Sequence, residues 1–323
     1  MNIILITQGI SRVVQPLLYS EHTILAILES APRGYVARNK KTSLPRKLVG
    51  LKSIFNPEPA TLNNLCKEKK ISYRFMTSSD DAGLEDWIKL LSPDLIVVFS
   101  MSQLLRENIF RIPRCGTINL HASFLPEYRG PNPDFWQYYD QILNPGVTVH
   151  FVDAGEDTGD VILQERVSIT LGTKSPARLD KLIGEVGVRL LLSTIDAIQT
   201  DSINPKPQPA ASPTVRARNI KIDEHANIIN WREWPIEHIW HVMRGTELWL
   251  NCIEQPSGLF RGQRWIVGDY QKAKTKNLTC KAGSVLKDSA GFFVCCRDGK
   301  IRLSREFSVK SLLRLLFHSK FKL

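Results

Sequence analysis

The chain has 323 residues, of which 43% are hydrophobic and 23% are charged, and its formal net charge is +11. These values are typical of a soluble globular protein that is large enough for two domains. No apolar run approaches the ~20 residues that a membrane-spanning helix needs, so stable membrane insertion is not expected. The six cysteines lack the spacing of a zinc knuckle. They predict free, mostly buried thiols and a cytoplasmic location.

Strands and helices alternate along the first half of the chain. Strands are predicted at residues 3–6, 24–28, 72–75 and 95–99, and helices at 13–18, 60–69 and 84–91. Alternation of this kind predicts an α/β fold, a Rossmann-like, doubly wound and mostly parallel sheet. The first turn carries no G-x-G-x-x-G sequence, so a nicotinamide dinucleotide site of the usual type is not expected.

Three polar residues lie where such a sheet would bind a ligand. A short strand at residues 117–120 places the side chains of Asn119 and His121 on one face, because side chains two apart point the same way. Asp157 lies in a glycine-flanked loop between two apolar runs, 147–152 and 161–167. If those runs are neighbouring strands, the loop closes over the carboxyl end of the sheet, where ligands bind in open α/β sheets.

The rest of the chain indicates a second domain. A helical period over residues 176–198 closes the first domain, predicted at 1–201, and a proline-rich linker follows at 202–218. Residues 219–307 contain a short helix at 235–245 and then evenly spaced short strands, which favour a small β-barrel. The basic tail, 308–323, is interpreted as a terminal helix packed on the barrel rather than as an amphipathic helix on a membrane surface.

The central motifs resemble a known family. They are Asn-x-His at 119–121, Ser-x-Leu-Pro-x-Tyr-Arg-Gly at 123–130, Gly-Val-Thr-Val-His at 146–150 and Asp-x-Gly-x-Asp-Thr-Gly-Asp at 153–160. This arrangement resembles the 10-formyltetrahydrofolate-dependent formyltransferases, which include glycinamide ribonucleotide, methionyl-tRNA and nucleotide-sugar formyltransferases. Positions that match the family are most frequent between about residues 93 and 164. The resemblance implies N10-formyltetrahydrofolate as co-substrate and no metal. The C-terminal pattern resembles the OB-like domain of the tRNA and sugar enzymes.

The chemistry of formyl transfer suits the three polar residues. The amide of Asn119 can donate to the oxyanion that develops on the formyl oxygen without adding charge. The imidazole of His121 can donate to the same oxygen or relay a proton. Asp157 can orient the imidazole and the attacking amine and accept a proton. These roles agree with those that the resemblance implies for the matching positions.

The resemblance also implies residues that bind the two substrates. The folate pocket would be walled by Ser100, Met101 and Leu104, with main-chain groups of Val152, Asp153 and Glu156 at the pterin edge. The acceptor side would include Ser123, Tyr128, Arg129 and Trp136. Alternatives stay open for four of them: Met101, Leu104 and Trp136 as ordinary core, and Arg129 as the partner of a local acid. His150 is interpreted as a packed residue.

The acceptor amine is not decided by these motifs. The favoured hypothesis is the amino group of a nucleotide-linked amino sugar, as in O-antigen and other lipopolysaccharide biosynthesis. The segment 130–136 departs from the run usual in the tRNA enzymes. The alternative is initiator Met-tRNA, which the positive net charge and the basic stretch 33–52 suit. A third hypothesis, a binding protein without catalysis, is disfavoured by the intact set of three polar residues. A homodimer is left open.

Overall fold

The computed structural model describes residues 1–35, 61–78, 80–173, 176–245, 252–257, 260, 264–273 and 280–305, with the side chains of 176–182 left out. Most of the basic stretch 33–52 and the tail 308–323 therefore lie outside the described residues. The chain forms two compact units. The first comprises Met1–Pro131, Gly146–Arg166 and Ile183–Arg216. The second comprises Asn132–Pro145, Val167–Leu182 and Ala217–Leu323. Most of the segment interpreted as a linker belongs to the first unit, and the predicted domain limits stay predictions.

The first unit is built on a seven-stranded mixed sheet. Its strands are β1 (Asn2–Thr7), β2 (Thr23–Ser30), β3 (Ser72–Met76), β4 (Leu95–Phe99), β5 (Thr117–His121), β6 (Gly146–Phe151) and β7 (Val161–Arg166). Their order is β3-β2-β1-β4-β5-β6-β7. The pairs from β3 to β5 are parallel, whereas β5–β6 and β6–β7 are antiparallel. The prediction of a Rossmann-like, mostly parallel sheet is confirmed.

The α-helices among the described residues are mostly those that the sequence predicts. They are α1 (Val14–Leu18), α2 (Leu62–Lys69), α3 (Leu84–Leu91), α4 (Glu107–Phe110), α5 (Pro133–Tyr139), α6 (Pro176–Gln199) and α7 (Ile236–Gly245). Helix α2 begins where the Thr61 side chain accepts a hydrogen bond from the Asn64 amide, and it ends at Lys70 in a left-handed conformation. Strand β4 is fully buried from Leu95 to Val97, as expected for a central parallel strand.

The second unit contains an antiparallel sheet. Its strands are β8 (Trp265–Lys272), β9 (Val285–Asp288), β10 (Gly291–Cys296) and β11 (Gly299–Arg305), in the order β8-β11-β10-β9. Ile236, Ile239 and Met243 on α7 share one hydrophobic core with Val294 and Ile301 of the sheet. The described residues show a four-stranded sheet with a packed helix, and an OB-like barrel stays a prediction.

Two cysteines of the second unit differ from the prediction. Cys280 and Cys295 form a disulfide, with their Cα atoms 6.4 Å apart. The expectation of free thiols is wrong for this pair. Backbone hydrogen bonds from Gly283 to Cys295 and from Cys295 to Ser284 bring the segment after Cys280 alongside β10. Sequence spacing does not reveal this juxtaposition. Cys66, Cys115, Cys252 and Cys296 are free. Within the described part of the chain, no helix is both long enough and apolar enough to cross a bilayer.

Candidate active site

The register of two central strands places three polar side chains on one face. In the β5–β6 pair, Asn119 lies opposite His150 and His121 lies opposite Thr148. Directly opposite residues in an antiparallel pair share a face of the sheet. Asn119, His121 and His150 therefore project together.

Asp157 completes this cluster from the loop that joins β6 to β7. Its Oδ1 atom lies 3.4 Å from the Asn119 Nδ2 atom and 3.6 Å from the His121 Nδ1 atom. Its Oδ2 atom accepts a hydrogen bond of 2.9 Å from the Gly130 amide. The backbone of Asp157 is left-handed, with φ 55°. The structure thus brings together the amide, the imidazole and the carboxylate that the sequence singled out, around a single carboxylate oxygen.

His150 is a member of the site that sequence reasoning missed. It is 2% exposed, which agrees with its interpretation as packed. Its Nε2 atom nevertheless lies 3.2 Å from Asn119 Nδ2 and 3.6 Å from Asp157 Oδ1. The sequence feature that could have identified His150 is its position on the strand before the loop that carries Asp157. Using that feature required knowing that β5 and β6 are antiparallel and in this register.

The hydrogen-bond partners fix which imidazole nitrogens carry protons. His121 Nε2 lies 3.1 Å from the carbonyl oxygen of Tyr128, and His150 Nδ1 lies 2.7 Å from that of Phe151. A carbonyl oxygen only accepts, so both of these nitrogens carry hydrogen. The other nitrogens, His121 Nδ1 and His150 Nε2, face Asp157. When His150 is neutral, the two hydrogens of Asn119 Nδ2 can be donated to His150 Nε2 and to Asp157 Oδ1. When His150 is protonated, its Nε2–H group instead faces Asp157 Oδ1.

The carboxyl of Asp157 is ionised in this environment. Burial by itself would raise the pKa of Asp157, but the charge of His121, the hydrogen bond and charge of His150 and the Gly130 amide outweigh it. Together they hold that pKa well below its usual range. The Asp157 side chain is 15% exposed, against 6% for His121. The Asp157 carboxylate is therefore more accessible to an incoming substrate than the His121 imidazole.

The residues predicted to line the folate pocket differ in their exposure and packing. Ser100 has a left-handed backbone with φ 59°, Met101 packs against the hydrophobic core, and Leu104 is 61% exposed. Val152 packs against the same core, and its amide donates to the Thr117 carbonyl.

The two predicted acidic residues of the loop have partners within the protein. Asp153 Oδ1 accepts from the Gly155 amide at 3.0 Å and from the Thr158 hydroxyl at 2.6 Å, closing the start of the loop. Glu156 makes a bidentate ion pair with Arg216.

The residues predicted on the acceptor side are divided between the units. In the first unit, the buried Ser123 hydroxyl donates to the Glu127 carbonyl at 2.6 Å, and the Tyr128 carbonyl faces His121. Arg129 is 8% exposed and donates to Gln208, Pro209 and Ala210.

Trp136 lies on α5 in the second unit. Its Nε1 atom donates to the Arg218 carbonyl at 2.7 Å, and the Arg218 guanidinium lies 5.5 Å from the ring centroid. Substrate contacts of these residues stay predictions. Among the described residues, no group of three or more His, Cys, Asp or Glu side chains could hold a metal ion.

Comparison with known proteins identifies the family. Residues 37–195 match the formyl transferase family. The methionyl-tRNA formyltransferase of Caldicellulosiruptor saccharolyticus is 30% identical over 266 residues, which cover 80% of each chain. The chain belongs to the formyltransferase family. The methionyl-tRNA formyltransferase of Clostridium beijerinckii is 34% identical to the formyltransferase described here, over 72% of each chain.

Solved structures share the fold of this formyltransferase over nearly its whole length. A sugar 3N-formyl transferase, WlaRD, solved in the presence of dTDP and 5-N-formyl-THF, has a TM-score of 0.58 at 16% identity and covers 96% of this chain and 99% of its own. The N-formyltransferase of Helicobacter canadensis, in complex with folinic acid and dTDP-3-aminofucose, has a TM-score of 0.59 at 16% identity, with 94% and 99% covered. The protein is a formyltetrahydrofolate-dependent N-formyltransferase.

Proposed function

We propose that this formyltransferase formylates the primary amine of a nucleotide-linked amino sugar, using Asn119, His121 and Asp157 as its catalytic residues. The convergence of these three side chains around Asp157 Oδ1 carries the catalytic part of the proposal. The pairing of surface cations with carboxylates supports the choice of acceptor.

Asn119 supplies the neutral hydrogen-bond donor. Formyltetrahydrofolate supplies a formyl group on N10, whose oxygen gains negative charge as the amine attacks. When the substrate amine donates to Asp157 Oδ1, it displaces one N–H group of Asn119 from that carboxylate. The freed N–H group can then donate to the formyl oxygen, while the other continues to donate to His150. A preorganised donor of this kind is worth about 100- to 1000-fold in rate.

His121 relays the proton, and Asp157 orients the reacting groups. A bond forms between the amine nitrogen and the formyl carbon, and the bond from that carbon to N10 breaks. One proton leaves the amine and one is gained by N10. The low pKa of Asp157 makes its carboxylate an orienting group rather than a store for the proton. His121 Nδ1, 3.6 Å away, is placed to relay the proton onward.

The ion pairs of the described surface support a compact acceptor. Several surface cations are paired with carboxylates: Arg216 with Glu156, Arg218 with Glu224, and both Lys300 and Arg302 with Asp288. A surface that neutralises many phosphates needs unpaired cations.

Initiator Met-tRNA is the second candidate, and the sequence relatives favour it. Both relatives described above are methionyl-tRNA formyltransferases. The basic stretch 33–52 and the C-terminal tail could provide the phosphate contacts. The OB-like barrel that we propose for the second unit suits either acceptor. If tRNA is the acceptor, neutralising Arg38, Lys40 and Lys41 should weaken its binding and reduce the dependence of binding on salt concentration.

A single assay separates the two acceptors. Tetrahydrofolate release is followed with charged initiator tRNA and with a panel of nucleotide-linked amino sugars that begins with dTDP-linked 3-amino sugars. We expect turnover with one member of the panel and none with the tRNA. In the same assay, Asp157→Asn and His121→Asn should lower kcat by about 100- to 10,000-fold while leaving the fold intact by circular dichroism. Turnover with tRNA alone would contradict the acceptor proposal, and full activity of either variant would contradict the catalytic one.

A further inference from the structure

The proline-rich segment that was interpreted as a linker lies along two loops of the first unit, the loop after His121 and the loop that carries Asp157. Lys206 exchanges two backbone hydrogen bonds of 2.8 Å with Val161 at the start of β7. Further on, the Ser212 hydroxyl donates to the Pro126 carbonyl at 2.8 Å, and the Thr214 hydroxyl accepts from the Tyr128 amide at 2.7 Å. The segment thus connects the loop after His121 with the hairpin that carries Asp157.

Gln208 makes the most specific of these contacts. Its Nε2 atom donates to the carbonyl oxygens of Asp157, at 3.1 Å, and Gly159, at 2.6 Å. Its Oε1 atom accepts from the Nε and Nη2 atoms of Arg129, at 3.2 and 2.8 Å. The amide can be oriented in only one way, because carbonyls only accept and a guanidinium only donates. Both ends of the Gln208 amide are therefore fully used.

Arg129 is in turn held on the same segment. It is buried, and its remaining contacts are hydrogen bonds to the carbonyls of Pro209 and Ala210, at 2.8 and 3.1 Å. The guanidinium thus fixes the backbone on the far side of Gln208 as well as its side chain. These contacts hold the side-chain amide of Gln208 in place. They also explain the presence of an arginine in the loop after His121 without a contact to substrate.

The residue at the end of this chain of contacts needs support. Asp157 has a left-handed backbone, with φ 55°, which only a few per cent of non-glycine residues adopt. Its carboxylate must stay within 3.6 Å of His121 and within hydrogen-bonding distance of Gly130. A hydrogen bond to the carbonyl of Asp157 itself, and a second one two residues on, hold the backbone in that conformation.

We propose that Gln208, oriented by Arg129, is a positioning residue that fixes the backbone of Asp157 so that its carboxylate faces His121 and Asn119. The inference rests on the catalytic role proposed for Asp157. Gln208 acts through the loop that carries Asp157 and not through contact with either substrate. The proline-rich segment is thereby part of the catalytic apparatus, in addition to any role in joining domains.

The test uses Gln208→Glu in the full-length enzyme. The substitution keeps the length of the side chain and its pairing with Arg129, but it turns an acceptor oxygen toward two carbonyl oxygens. We expect kcat to fall about 10- to 100-fold. The groups facing the Asp157 carboxylate are His121, His150, Asn119 and the Gly130 amide, with Arg216 nearby. As the loop shifts away from them, the pKa of Asp157 should rise, and the acidic limb of the pH profile should move to higher pH. A residue with a merely structural role would not move that limb.

Control variants separate this inference from the proposed function. Gln271→Glu makes the same charge change at an exposed position and should leave kcat unchanged. Arg129→Met should reduce kcat, and the double variant Arg129→Met/Gln208→Glu should be no worse than the more damaged single variant, because both act on one contact. If Gln208→Glu does not fold, Gln208→Met serves in its place.

Two outcomes would overturn the inference. One is an inactive Asp157→Asn enzyme together with a Gln208 variant that keeps the wild-type kcat and pH profile. The other is a Gln208 variant that loses thermal stability without any movement of the acidic limb. An active Asp157→Asn enzyme would instead overturn the catalytic role of Asp157 and, with it, the basis of the inference.

Discussion

Protonation of one buried histidine should make the second unit acid-sensitive. His241 on α7 is fully buried and stacks on the Tyr138 ring, with 3.9 Å between ring centroids. Its Nδ1 atom accepts a hydrogen bond of 2.9 Å from the Gly172 amide. Burial, with the charge of His238 as a smaller cause, lowers the pKa of His241 from 6.5 to about 4. The folded unit therefore holds this imidazole neutral at pH values where the unfolded chain protonates it.

The size of the effect follows from the two pKa values. Above pH 6.5 both states are neutral at this site, and the full stability is present. As the pH falls from 6.5 to 4, the unfolded chain binds a proton and the folded unit does not. Unfolding then becomes easier by up to about 3 kcal/mol. Below pH 4 both states bind the proton, and the contribution of His241 to the pH dependence ends.

The assay compares the wild type with His241→Asn. Asparagine does not titrate, and its Oδ1 atom can accept from the Gly172 amide in place of Nδ1. Urea unfolding is followed by tryptophan fluorescence between pH 7.5 and 4, because most tryptophans belong to the second unit. Carboxylates that titrate in this range contribute equally to both proteins. The wild type should lose more free energy of unfolding than the variant, by about 2–3 kcal/mol. Parallel pH curves would refute the reasoning.

Two further predictions concern the site itself. His150→Leu removes a charge and a hydrogen bond that hold the pKa of Asp157 low, so the acidic limb of kcat should move to higher pH. An unmoved limb would count against a role for His150. A Cβ atom at Gly159 would overlap the Phe151 carbonyl, whereas the atoms nearest to one at Gly187 are side-chain methyl groups of Leu120 and Val147 at 3.2 Å. Gly159→Ala should therefore lower kcat at least about tenfold and destabilise the fold by more than about 1 kcal/mol, and Gly187→Ala should do neither, as measured by initial rates and thermal unfolding.

Much of the first unit could be predicted because its signals are local. The run from Leu95 to Phe99 is apolar at every position, and its observed bounds are the predicted ones. The helix at 84–91 also has the predicted bounds. Asn119 and His121 could be placed on one face because the two-residue period of a strand is a property of any extended chain.

What was missed depends on contacts between segments distant in sequence. His150 could be recognised only from the antiparallel register that sets it opposite Asn119. The disulfide of Cys280 depends on the course of the chain beside β10. Proline density shows that residues 202–218 cannot be helical, but it carries no information on where an extended segment docks, so the contacts of Gln208 were not foreseen.

The antiparallel pairing of β5 with β6 has a consequence for engineering this enzyme. Inserting or deleting one residue between Gly146 and His150 would turn every following side chain of β6 to the opposite face. Such a slip would remove His150 from Asn119 and displace the start of the loop that carries Asp157. Length changes should therefore be confined to positions before β6, whereas the strand itself tolerates only substitutions.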